Sequence, residues 1–153
     1  MKYGICSLYA NPIHGGHITY LQESAALVDE LLVIVNSDAQ VEVKGSVPFM
    51  NEGERHRVVS NIKGVDHAFI STSDESNVAK DIEEAVDWLL DEEKFRQDIV
   101  GSPKFYFFNS GDVVRSNEEE LRVCRDKNVV PVFLDLKKEN SSSRLIERAQ
   151  ILE

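Results

Sequence analysis

The sequence predicts an α/β fold, a parallel sheet covered by helices on both faces, and three observations predict it. Short β-rich runs alternate with stretches of helical period along the whole chain, the signature of repeated strand-helix units. The first apolar run, Ile5 to Tyr9, passes through the glycine-containing turn Asn11-Pro12-Ile13-His14-Gly15-Gly16-His17 directly into a helix-like stretch. At 153 residues and 42% hydrophobic content the chain has the size of one domain, with residues 1–153 organised around a single core.

The elements follow in order. A strand is expected over Gly4 to Tyr9 and a helix over 16–28, where Ile18, Leu21, Ala25 and Val28 share one face and are read as core. A second strand, Leu31 to Asn36, precedes a helix over 51–62 that opens on Asn51 and Glu54 in capping-box spacing. His67 to Ser71 is the third strand, and the helix over 76–92 carries Val78, Ile82, Ala85, Val86 and Leu89 on its inner face. Phe105 to Asn109 is the fourth strand, followed by a helix over 117–127 with Ser116 and Glu119 in capping spacing, and Val129 to Leu134 is the fifth. A last helix over 142–150 begins behind Ser141, Ser142 and Ser143 and repeats apolar residues at Leu145, Ile146, Ala149 and Leu152. The segment 81–103 is read as an extended helix and surface loop. No internal repeat, linker or low-complexity stretch interrupts this order.

Composition excludes several classes. A net charge of -10 disfavours general binding to nucleic acid or to an anionic membrane, so anionic ligands must be held by local positive groups. No apolar run approaches the roughly 20 residues that span a bilayer, and Met1-Lys2-Tyr3 enters a strand with no signal-peptide pattern, so a cytoplasmic protein is expected. Cys6 and Cys124 have neither metal-ligand nor disulfide spacing and are read as buried, reduced packing residues.

The turn at residues 11 to 17 is where chemistry is expected. The carboxyl end of a strand and the N-H groups of the following helix form an anion site, and paired glycines let a phosphate approach the backbone. A plain glycine turn with two surface histidines is the competing reading. Ser141-Ser142-Ser143-Arg144 is expected to form a second phosphate-type site at the start of the last helix, with a serine-rich cap and a surface arginine as the competing reading, and Lys44-Gly45 is expected in the loop after the second strand.

His14-Gly15-Gly16-His17, Lys44 and Ser141-Ser142-Ser143-Arg144-Leu145 together resemble the cytidylyltransferase-like nucleotidyltransferase superfamily, with its H-x-G-H, mid-chain lysine and terminal serine-rich motifs. Val33 to Asp38, Asn51 to Arg57 and Val65-Asp66-His67 are similar to blocks of the subgroup holding glycerol-3-phosphate cytidylyltransferases and heptose-1-phosphate adenylyltransferases. The resemblance implies a Rossmann-like, doubly wound five-stranded sheet of order 3-2-1-4-5, with the ligand at the switch point between strands one and four. It also implies a homodimer, with strand edges or surfaces near the second and third helices as contacts.

The implied reaction moves a nucleoside monophosphate, CMP favoured over AMP, from a triphosphate to a small phosphorylated metabolite such as a polyol or sugar phosphate. The attacking phosphate is already an anion, so the protein supplies alignment and charge stabilisation and needs no nucleophile of its own. His14, His17 and Lys44 are the implied catalytic residues. Leu8, Tyr9, Ala10, Asn11, Gly16, Gly111, Asp112, Ser141, Ser142, Ser143 and Arg144 are assigned to the nucleotide. Asn11 shapes the turn, and Ala10 stands where the family carries an aromatic. Asp38 and Arg55 either line the acceptor pocket or form an ion pair between two helix starts. His56 and His67 are read as surface or interface residues. Mg2+ is the implied cofactor, carried by phosphates and water with no ligand assigned to protein. A zinc hydrolase, lacking a third ligand and a base, and a nucleotide-binding regulatory module are the alternatives.

Overall fold

The computed structural model describes residues 1–97, 101–110, 116–136 and 148–150. Its elements run β1 (Lys2–Leu8), α1 (Gly15–Ala25), β2 (Glu30–Val35), α2 (Asp38–Val43), α3 (Glu52–Ser60), β3 (His67–Ile70), α4 (Ala79–Glu93), β4 (Lys104–Asn109), α5 (Glu118–Asp126) and β5 (Val129–Phe133). The five strands form one sheet in the order β3-β2-β1-β4-β5, and every pairing is parallel. The expected fold class and strand order are both present.

Parallel strands joined by helices must be covered on both faces, and the core divides accordingly. Tyr3, Ile5, Leu32, Ile34, Phe105 and Phe107 pack with Ile82, Ala85, Val86 and Leu89 of α4 and Cys124 of α5. Cys6, Leu8, Val33 and Val35 point the other way, against Tyr20 and Leu21 of α1 and Val59 of α3. This alternation along β1 and β2 follows from the two-residue period of a strand. Burial pushes the Cys6 thiol up to about 12 and that of Cys124 to about 11, so both stay protonated and unreactive, as their expected packing role requires. Gly4 belongs in the central strand for a steric reason: a Cβ there would lie 2.8 Å from the Phe108 ring and 3.0 Å from Val28.

Several boundaries differ from expectation. Helix α2 is an element the sequence reading lacks, and Lys44 is its C-cap, directly after Val43, where a plain loop was expected. Helix α1 stops at Ala25 and leaves Ile18 39% exposed, so Ile18 is not core. The cap of α5 is Asn117, which accepts from the N-H groups of Glu119 and Glu120, one residue later than the Ser116 expected. Asn51 does cap α3, accepting from Glu54 N. Of the expected helix over 142–150, residues 148–150 are described and helical. Among the described residues no helix is long and apolar enough to cross a membrane.

The register brings the strand ends together. Leu8, Val35 and Ile70 are paired across β1, β2 and β3, so the chain leaves all three strands at one level. Adjacent strands are about 4.8 Å apart, which places the segments after β1 and β2 within side-chain reach of each other.

Candidate functional site

After Leu8 the chain turns sharply, with Ala10 in the left-handed region at φ 51, and enters α1 through His14. His14 is itself the N-cap, in extended conformation at φ -149 and ψ 176. Its Nδ1 accepts the Gly16 N-H at 3.1 Å, and Nδ1 of His17, one turn on, accepts the His14 N-H at 3.2 Å. The two imidazoles thus form a reciprocal capping box, the arrangement usually built from a serine and a glutamate. Their rings stack with centroids 3.8 Å apart and planes at 26°.

This geometry fixes the tautomers. An Nδ1 that accepts a backbone N-H carries no proton, so each neutral ring holds its proton on Nε2, on the far side from the backbone it caps. Burial, then the neighbouring His14, then Lys44, hold His17 well below the usual histidine range, at about 4. At neutral pH the His17 ring is an uncharged donor at a helix N-terminus, where the macrodipole favours anions.

Lys44 reaches the same place from the second strand. Ser37 and Gln40 make a capping box at the start of α2, a Ser-x-x-Gln signal that was present in the sequence. The helix ends with Gly45 N donating to Glu42 O at 2.9 Å and Ser46 N to Val41 O at 3.1 Å, a Schellman pair. That motif needs a left-handed residue just past the cap, and Gly45 supplies it at φ 89. The Lys44 ammonium consequently lies 4.3 Å from the centroid of the Tyr9 ring, and its charge acts on His17. His14, His17, Lys44 and Tyr9, spread over 36 positions of sequence, form one cationic donor group.

Two buried polar side chains hold this group in shape. Asn11, 6% exposed, donates Nδ2-H to Val47 O at 3.0 Å and accepts from the N-H of Phe49, which ties the 46–50 loop to the turn. Arg55 is fully buried, with Nε on Met50 O, one terminal nitrogen on both Tyr9 O and Asn36 O, and the other 2.7 Å from Asp38 Oδ1. The Asp38–Arg55 pair therefore takes the ion-pair form, with the guanidinium knitting together the exits of β1 and β2. Asp38 is 32% exposed and keeps one edge toward solvent.

Leu8, the last residue of β1, and Ala10, within the turn, are both buried, and Gly16 is the capped N-H donor beside the histidines. Gly111, Asp112, Ser141, Ser142, Ser143 and Arg144 lie outside the described residues. His56 bonds Ala68 O at 2.7 Å and His67 bonds Glu30 at 3.0 Å, both part-buried and away from the turn. One charged residue escaped the sequence reading. Glu120, in the first turn of α5, accepts the Val78 N-H at 2.9 Å and so caps α4, whose own first residues supply no side-chain cap. Burial pushes its carboxyl above the usual range, and its charge reaches Tyr9. Among the described residues no group of three or more His, Cys, Asp or Glu is placed to hold a metal. The donor set around His17 suits phosphate oxygens, which accept from N-H groups at a helix N-terminus.

The family model described as Cytidylyltransferase-like matches residues 9–148. The chain belongs to this family of nucleotidyltransferases. The FAD synthase of Ferroglobus placidus is 37% identical over 142 residues, covering 87% of this chain and 86% of the relative. The FAD synthase of Thermoplasma acidophilum is 44% identical over 63 residues, and there the chain spans 44% of the relative's length and 41% of its own. The crystal structure of the lipopolysaccharide core biosynthesis protein from Thermoplasma volcanium superposes with a TM-score of 0.62 at 25% identity, over 86% of this chain and 96% of that one. The family expected from the motifs is the family found. CMP transfer to a polyol or sugar phosphate is not the activity for which these relatives are named.

Proposed function

We propose that this protein is an adenylyltransferase that joins the AMP of ATP to the phosphate of FMN, producing FAD and pyrophosphate. A phosphate oxygen of FMN attacks the α-phosphorus of ATP, a new P-O bond forms, the bond to the β-phosphate bridging oxygen breaks, and its electron pair leaves with pyrophosphate. FMN enters as an anion, so no proton must be removed to make the nucleophile. The task is to bring two anions together and to stabilise charge that builds on the transferring phosphoryl group.

The observation that carries the reaction class is the histidine capping box beside Lys44. Because both Nδ1 atoms are engaged by backbone N-H groups, the Nε2-H donors of His14 and His17 are pre-oriented and need no reorganisation during the reaction. Lys44 adds a mobile positive charge for the triphosphate. Mg2+ bound to the ATP phosphates would supply further charge neutralisation, with Lys44 as this chain's own cation beside it. The expected CMP preference gives way to AMP and flavin because relatives aligned over most of the chain carry the name FAD synthase.

The test is pyrophosphate release from ATP, CTP, GTP and UTP, each with FMN, glycerol 3-phosphate or heptose 1-phosphate, in the presence of magnesium. ATP with FMN should turn over, and chelation of magnesium should stop it. Turnover of CTP with glycerol phosphate and none with FMN would replace this reading by the cytidylyl one.

A further inference from the structure

The segment between α2 and α3 exposes more apolar surface than its position explains. Val47 is 79% exposed and Phe49 64%, within a stretch that starts at Lys44 and ends at the Asn51 cap. A single exposed apolar residue is ordinary, but two large ones on a firmly held backbone call for a reason. This backbone is held at both: Asn11 takes Val47 O and Phe49 N, and the Arg55 guanidinium takes Met50 O at 2.9 Å. Asn11 and Arg55 are both buried, so the apolar side chains are presented from a rigid support.

The placement is equally specific. Asn11 lies three residues before His14, so the loop is fastened to the same turn that carries the histidines. Lys44, five residues before Phe49, sits over Tyr9 beside His17. Along this segment the cationic donor Lys44 is followed by the exposed apolar side chains of Val47 and Phe49, on backbone tied to the histidine turn through Asn11. A polyol or sugar phosphate needs polar partners for its hydroxyls, and Val47, Pro48 and Phe49 offer none from their side chains. A flat aromatic ring joined to a phosphate by a flexible chain matches that order of surfaces.

We infer that Val47 and Phe49 form the docking edge for the aromatic ring system of the acceptor, so that this loop selects a flavin against a sugar or polyol phosphate. The inference rests on the reading of the chain as an FMN adenylyltransferase. Phe49 supplies a ring face, Val47 the adjoining apolar ledge, and Asn11 acts as a positioning residue that holds both relative to His14.

The experiment uses the full chain with Val47→Ser, Phe49→Ser and the double variant. Both side chains are largely exposed, so the variants should keep the wild-type melting temperature. Initial rates of FAD formation should show KM for FMN raised about tenfold in the double variant, with KM for ATP and kcat at saturating FMN within about twofold. FMN binding without ATP, read by polarisation of flavin fluorescence, should weaken by the same factor. An unchanged FMN affinity in the double variant overturns the inference, as does an equal rise in KM for ATP. A wild-type dimer that the variants turn into monomers by sedimentation, with FMN affinity unaltered, overturns it too and makes the edge a contact between copies. If wild-type protein forms no FAD, the adenylyltransferase reading falls, while the FMN-binding arm still reports on the loop.

Discussion

Replacing His14 by Asn separates the two tasks held by one imidazole. As a cap, His14 contributes one acceptor, Nδ1, to the Gly16 N-H at 3.1 Å. Asn is among the best N-cap residues, and its carbonyl oxygen can take over that bond, whereas His14→Ala leaves the N-H without it at a cost of about 1 kcal/mol. For a chain of this size about 1 kcal/mol corresponds to a fall of roughly 2–4 °C in Tm. The reciprocal bond to His17 uses the His14 backbone and survives both substitutions. Catalysis follows a different rule, because Asn places no donor where Nε2-H stands. Losing one pre-oriented donor to a developing charge costs about 2.7–4 kcal/mol, or roughly 10²–10³ in kcat. His14→Asn should therefore melt within about 1 °C of wild type and lose as much kcat as His14→Ala, which should also lose stability. Thermal unfolding and steady-state FAD formation on the same preparations measure both quantities. A stable His14→Asn variant with wild-type kcat would refute the catalytic role and leave a cap alone.

Further predictions concern the same framework. His17 is held at about 4, below the ordinary value near 6.5, so between those limits the unfolded chain binds more protons than the folded one. Stability should then fall as the pH is lowered from about 6.5 to 4, by about 2 kcal/mol once partial solvent access is allowed for, and His17→Gln should flatten that part of the profile in denaturant titrations. Arg55→Met removes the donors serving Tyr9 O, Asn36 O and Met50 O and strips Asp38 of its partner, and urea unfolding should register a loss of about 3–5 kcal/mol. Glu120→Gln keeps an acceptor for Val78 N-H and removes a carboxylate that burial disfavours. It should raise Tm at neutral pH, with the gain vanishing in acid where Glu120 is itself protonated; an unchanged Tm at pH 7 would contradict this account of its burial.

The sheet was legible because its physical causes are local. Strands such as Leu31 to Asn36 and the inner face of α4 declare themselves through apolar residues at the spacing of their own backbone. Asn51 announced the start of α3 by the usual cap chemistry. Helix α2 stayed hidden because its six residues are too few to show a helical period, although Ser37 and Gln40 carried its capping signal. In the site, His14, His17 and Lys44 were identifiable as residue types suited to phosphate, but their joint arrangement was not. Histidine ranks low among expected caps, so nothing in the sequence marked the turn as capped by its own imidazole rings. The fourfold grip of Arg55 was equally invisible, since three of its partners are backbone carbonyls, which every residue possesses. Glu120 carried no local signal, because its reach to Val78, 42 residues away, depends on tertiary packing.

The most direct test of the central claim is where the α-phosphate of ATP goes. With ATP labelled at the α-phosphorus, FMN and magnesium, the account predicts label in FAD in one-to-one ratio with pyrophosphate released, and loss of that transfer by about 10²–10³ in His17→Gln. Label that stays in AMP, or that enters no flavin product while CTP label enters a polyol or sugar phosphate, would contradict it.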